Sequence, residues 1–389
     1  MQNLPLSDLK VLELSQFVSG PYCTKLLAGF GAEVIKIENP DGGDISRRHG
    51  PFPDDIPDPE KSGLYLHLNT GKKSITLNWQ SRAGYRILGQ LIKRSNILVE
   101  SLGPGVIDHQ ALQELNPSLI MASISYYGQT GPWHEYQGSD ITAQATGGIM
   151  NLTGFGDKEP LKIAGPQAEY QAGLNAAVAV MAALLFRDDT GTGQHIDISI
   201  MECLASILEG ALLSWAYDGT LRQRDGARHP SIYPSTILPC RDGYIHLDAS
   251  TDWETFAGFM EMPELLQFKP GELRQKADEI DALLTRRLAE EDREEIFHRA
   301  QKWRLPFAKV MEVEELAEDE QFQDRDFFTK IEHPATGILT YPGTPFKMSD
   351  CRTNLGRAPL LGEHNEEIYG GLLGYAKEEL TQLRGMGII

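Results

Sequence analysis

Between residues 11 and 124, short apolar runs recur at intervals that admit a helix or a long loop between them, and this rhythm limits the possible folds most strongly. The runs cover 11–14, 33–38, 74–77, 96–99 and 119–124. Pro21 opens a helix over 21–28, since proline suits the first helical turn, where its missing N–H costs nothing. Gly31 stops that helix, and further helices are expected over 81–93 and, after the turn Gly103-Pro104-Gly105, up to Leu115. Strands spaced in this way lie parallel under helices on both faces. Ligands of such sheets bind beyond the strands' C-terminal ends, which here means the loops 15–20, 100–105 and 126–132.

The chemistry-bearing residues gather on or near those loops. Ser19-Gly20-Pro21 begins a helix after a strand, where free N–H groups and the helix dipole favour an anion. Residues 39–63 form a long loop rich in Pro, Gly and Asp. Lys72 and Lys73, in NTGKKS, are adjacent cations in an acidic chain, placed either in a solvated turn or against a phosphate; the full phosphate-loop motif is absent, because its first glycine would fall at Leu66. Thr190-Gly191-Thr192-Gly193 follows a helix and precedes the strand 195–200, the reverse of a dinucleotide loop, so it reads as a helix stop. Glu169 stands between Gly165-Pro166 and a helix of small residues over 172–186. Such a carboxylate either faces the positive helix end or is a working group; Glu169 is our candidate.

Composition removes several classes of function. Asp and Glu outnumber Lys and Arg 55 to 36, a net charge of −19, which disfavours a nucleic-acid surface. The four cysteines, Cys23, Cys203, Cys240 and Cys351, lie far apart without CxxC spacing, so neither a disulfide framework nor a thiolate zinc site is expected. His195 and His364 have no partners at ligand spacing and no HExxH occurs, so no metal is expected. No GxSxG elbow supports a serine triad. Without a signal peptide or an apolar run of about 20 residues, the chain reads as reduced and cytoplasmic.

Composition shifts after Asp218 to an Arg- and Pro-containing linker, a hairpin turning at Asp242-Gly243, and charged amphipathic helices near 271–287 and 291–303. One continuous helix is expected over 200–217 before that shift. A strand, the loop APLLGEH and a final helix complete the chain.

Taken together, LSDLKVLELSQFVSGPYCTKLLAGFGAEVIKIENPDGGD, LNTGKKSITL, NILVESLGPGVI, NPSLIMASISYYGQTGP, the Glu169 stretch, TGTGQHIDISIMEC and APLLGEH resemble the class III CoA-transferases, the CaiB/BaiF family, along the whole chain. The resemblance implies an α/β fold: a Rossmann-like large domain formed by 1–218 and 331–389, a smaller α+β domain over 219–330, and an interlocked, ring-like homodimer. It implies coenzyme A and acyl-CoA as substrates, a carboxylic acid as acceptor, and neither metal, nucleic acid nor membrane as partner. It places Phe17, Val18 and Ser19 against CoA, Asn39 near the adenosine and Lys72 near the phosphates. Ser101 and His109 fall where the family often has Asn and Arg, and Gln137 where some members have Lys. Glu169 falls where the transferases carry the Asp that attacks the thioester; a Glu can do so too, forming a mixed anhydride and then an enzyme thioester. Gly128 and Gly131 are candidate oxyanion donors. Two alternatives accompany this reading: a CoA-ester-binding paralogue without turnover, and a 2-methylacyl-CoA racemase, whose histidine position holds Ser139 here. Residues 231–239 lack the glycine-rich tract of formyl/oxalate-type members, which points away from those substrates.

Overall fold

The computed structural model describes residues 4–249, 252–351, 353 and 355–389. In its central sheet, alternate residues of each strand point to opposite faces. The strands β1 (Lys10–Leu14), β2 (Glu33–Glu38), β3 (Lys73–Thr76), β4 (Ile97–Glu100), β5 (Ile120–Ser125) and β6 (His195–Ser199) pair in parallel in the order β3-β2-β1-β4-β5-β6. Val11, Val34, Val99 and Ala122 belong to the core on one face; Leu12, Ile35, Leu98 and Met121 belong to the core on the other. With both faces covered, the strands read as continuous apolar runs rather than alternating ones. The strand order reverses between β1 and β4, which opens a crevice at their C-terminal ends.

The helices of this unit are α1 (Ser19–Gly29), α2 (Gly63–Leu68), α3 (Arg82–Ile92), α4 (His109–Leu115), α5 (Asp140–Thr146), α6 (Gln167–Thr190) and α7 (Ile200–Ala205). Cys23 and Leu27 of α1 pack with Ala168, Ala172, Ala176 and Val180 of α6 in the first core, while Ile87, Leu91 and Leu112 of α3 and α4 enter the second. Spacing of four places the small α6 residues on one stripe. Gly173 sits beside that stripe, where an added Cβ would lie 2.5 Å from the Ser19 carbonyl oxygen. The helix is longer than expected, 24 residues, and by length and composition could cross a membrane. Its other side is apolar and open: Val178 is 63% and Leu185 69% exposed.

Two compact units emerge, one of 1–149, 163–208 and 323–389, the other of 150–162 and 209–322. Their border falls ten residues before the composition shift at Asp218, because the expected helix over 200–217 is two helices, α7 and Glu209–Asp218. Ser206 ends α7, its hydroxyl donating to the Cys203 carbonyl at 2.8 Å in competition with the backbone ladder. The C-terminal segment closes the β3 edge of the first unit: Asn78 N–H donates to the Ile388 carbonyl at 2.7 Å, and Tyr369 Oη to the Thr76 carbonyl at 2.6 Å. The second unit holds an antiparallel sheet of Ser235–Cys240, Gly243–Asp248 and Ala308–Lys309, turning at Arg241-Asp242. Trp253–Phe259, Ala277–Leu288 and Arg293–Lys302 cover it through a core containing Phe256, Ile280 and Ile296.

Candidate active site

A cavity of about 550 Å³ lies at the C-terminal ends of β1, β4 and β5, within the first unit, where the sheet order reverses. Phe17, Ser19, Ser101, Gln137 and Glu169 all line it, joined by Tyr126. Phe17 comes from the loop after β1, Ser19 opens α1 and Ser101 comes from the loop after β4; Tyr126 follows β5, and Glu169 arrives from the first turn of α6. Val18 lies buried beneath, its carbonyl accepting the Tyr22 N–H at 2.7 Å. Asn39 lines a smaller hollow that shares Gln16 and Leu102 with the main cavity. His109 stands apart at the start of α4, its ring stacked 4.5 Å from that of His195.

Glu169 is 3% exposed and doubly held. Its Oε2 accepts the Ser19 N–H at 3.1 Å, and its Oε1 accepts the Tyr126 hydroxyl at 2.5 Å. Burial raises the carboxyl above its ordinary range, while those two donors pull the other way. Asp140, the first residue of α5, takes the Ala168 N–H at 2.8 Å and so anchors the start of α6, which has no side-chain cap of its own. Ser125 also lines the cavity, with a buried hydroxyl that has no partner among the described residues.

Lys72 differs from its expected place. It is buried, donating to Glu13 Oε2 at 2.8 Å, the Pro21 carbonyl at 2.8 Å and Asn69 Oδ1 at 2.9 Å, so all three ammonium hydrogens are used within the protein. It belongs to an ionic lattice under the β1–α1 loop. Glu13 Oε1 meets Lys36 Nζ at 2.6 Å, Lys36 meets Asp44 at 2.6 Å and also donates to the Ser15 carbonyl at 3.1 Å. Asp44 in turn accepts the Phe17 N–H at 3.1 Å, which helps hold Phe17 at φ +68°, a left-handed conformation unusual for a bulky residue. Burial opposes ionisation of Glu13, yet Lys36 and Lys72 outweigh it and hold the carboxyl down at about 2. The lattice fixes the loop that leads into α1, whose first N–H, from Ser19, reaches Glu169.

Gly128 and Gly131 are not in the cavity wall. Both have positive φ, but the neighbouring Gln129 N–H is spent on Asp197, at 3.0 Å to either carboxylate oxygen. The backbone donor beside the carboxylate is Ser19 instead. Sequence reasoning pointed to the loop 126–132 without naming Tyr126 as a site residue, and it missed Asp140. Among the described residues no His, Cys, Asp and Glu group could hold a metal ion.

The sequence profile of CoA-transferase family III matches residues 6–365. The chain belongs to that family. A succinyl-CoA:mesaconate CoA-transferase from Haloarcula marismortui is 32% identical to this family III member over 379 residues, spanning 93% of this chain and 95% of its own. A formyl-CoA:oxalate CoA-transferase from Streptomyces coelicolor is 31% identical, over 99% of both. The crystal structure of a CaiB/BaiF family protein from Brucella suis superposes with a TM-score of 0.86 at 30% identity, over 95% of this chain and 100% of that one. A family III CoA-transferase works on CoA thioesters and carboxylic acids, and the parallel sheet with its crevice is the fold shared with that structure.

Proposed function

We propose that this CoA-transferase uses Glu169 to carry an acyl group and then CoA itself. The carrying observation is a carboxylate at the inner wall of the crevice, removed from water and held by two donors. One oxygen of Glu169 attacks the thioester carbonyl, the C–S bond breaks, and CoA thiolate leaves a mixed anhydride. The thiolate then attacks the glutamyl carbonyl, releasing the first acid and leaving a Glu169–CoA thioester. An acceptor carboxylate displaces the thiolate to form a second anhydride, and the returning thiolate takes the acceptor acyl group and frees Glu169. Donor and product are both thioesters, so barriers rather than overall free energy are what the site must lower.

Orientation of a carboxylate against a thioester can contribute roughly 7–11 kcal/mol, and an oxyanion donor about 3–4 kcal/mol. The unpartnered Ser125 hydroxyl is one donor available for that role. Succinyl-CoA is the donor to try first, being the one named for the relative from Haloarcula and for the Chloroflexus aurantiacus D-citramalate enzyme. Acyl-CoA followed by hydroxylamine is expected to leave a hydroxamate on Glu169, located by peptide mass spectrometry; label on another residue with Glu169 intact overturns the assignment. Transfer of label into a free acid separates turnover from mere binding.

We also infer an interlocked homodimer working in a reducing cytoplasm. The open apolar side of α6 supports a second copy as its cover, the interlocking being what the family resemblance implies, and the free, buried thiols of Cys23 and Cys203 fit a reducing compartment.

A further inference from the structure

A second cavity, of about 250 Å³, lies against α1 and α6 inside the same unit. Among the described residues its wall is mostly apolar or aromatic, with Tyr22 and Phe30 from the α1 end, Tyr170 from α6 and Phe327 from the C-terminal segment. Into this wall is set one cation, Lys25, which is 7% exposed. No carboxylate among the described residues lies within ion-pair distance of it; its hydrogen-bonding neighbour among them is His67, on α2. Lys25 Nζ stands 3.2 Å from His67 Nδ1 and 3.3 Å from His67 Nε2. A point equally far from both ring nitrogens cannot lie along the lone pair of either, so the contact satisfies at most one ammonium hydrogen, and poorly. The Tyr22 and Tyr170 hydroxyls likewise have no hydrogen-bond partner among the described residues.

A buried ammonium without a counter-ion is costly, and contrasts with Lys36 and Lys72, which meet carboxylates within the chain. Burial and the nearby charge of Lys72 hold Lys25 down at about 7, and burial and Lys25 push His67 down to about 3, so its ring stays neutral at neutral pH and adds no second cation beside Lys25. We propose that this cavity binds a short-chain aliphatic carboxylate, its anionic end on Lys25 Nζ and its hydrocarbon against the aromatic wall. This site is separate from the transfer chemistry, since Glu169 takes no part in its lining.

The test uses the full chain, without CoA, titrated with isovalerate at pH 6.5 in a calorimeter, with isovaleramide as the uncharged control. Wild type and Glu169→Gln should both bind isovalerate and ignore the amide. Lys25→Met and Lys25→Gln, each checked for a cooperative thermal transition, should bind it roughly tenfold to a hundredfold more weakly, the loss expected for one charge-assisted contact. Failure of wild type to bind isovalerate overturns the proposal. So does undiminished binding by a folded Lys25 variant, and so does loss of binding confined to Glu169→Gln, which would place the acid in the crevice instead.

Discussion

At residue 169 two demands conflict. A nucleophilic carboxylate must be ionised, and burial disfavours the ionised form; the Tyr126 hydroxyl and Ser19 N–H offset this by hydrogen-bonding to the anion. Because the folded carboxyl is raised, the acid limb of kcat/KM should lie above the ordinary carboxylate range, with activity lost as pH falls through it. Tyr126→Phe removes a donor to the anion, so that limb should move to still higher pH, and the plateau should drop roughly tenfold. A pH profile that is unchanged in Tyr126→Phe would show that Glu169 is not the group titrating. Glu169→Asp withdraws the carboxylate from both donors by one methylene and should cost about a hundredfold in kcat, in keeping with small misplacements of reacting atoms. A gain of activity in Glu169→Asp would instead favour the paralogue without turnover.

At the scale of elements, α1 and α6 touch closely enough that the site depends on one missing methyl group. In an exposed helix Gly→Ala stabilises by roughly 0.5–1 kcal/mol, but at Gly173 the new Cβ would lie 2.5 Å from the Ser19 carbonyl oxygen. Overpacking of that kind costs about 1–3 kcal/mol and here would displace Ser19, the residue whose N–H holds Glu169. Gly173→Ala should therefore lower both the melting temperature and kcat; a higher melting temperature with full activity would contradict this account of the contact. The strands and the crevice loops were legible because buried parallel strands announce themselves as apolar runs and their C-terminal loops follow. Less legible were α2 and α5, short helices resting on the caps of Ser62 and Ser139 rather than on any apolar period. Least legible was the lattice of Glu13, Lys36, Asp44 and Lys72, since a charged side chain in a sequence reads as solvated until a partner from another strand is found. For that reason Lys72 looked like a phosphate ligand, while the buried lysine without a carboxylate partner among the described residues is Lys25.

Over the whole molecule, the chain leaves its first unit twice, briefly at 150–162 and then from 209 to 322, so its two ends build one core and these two stretches form the second unit. The composition change falls near Asp218, ten residues beyond the end of the first unit's middle stretch, and the chain continues as helix on both sides of 206–208, so no turn signal marks the edge. A helix as apolar as α6, with Val178 and Leu185 both more than half exposed, requires cover in water. An ordinary dimer and an interlocked one cover it equally well, and they differ in kinetics. Two surfaces that meet side by side separate on dilution at a rate set by the contact alone, whereas threaded chains separate only when one of them opens. Mixing tagged and untagged dimers at nanomolar concentration should thus give no mixed species over days under native conditions, and a full complement after unfolding and refolding together, as read by native mass spectrometry. Val178→Lys combined with Leu185→Glu, by charging this open side, should leave chains that refold poorly or remain monomeric if the proposed dimer covers it; free exchange in the unmodified protein would count against interlocking.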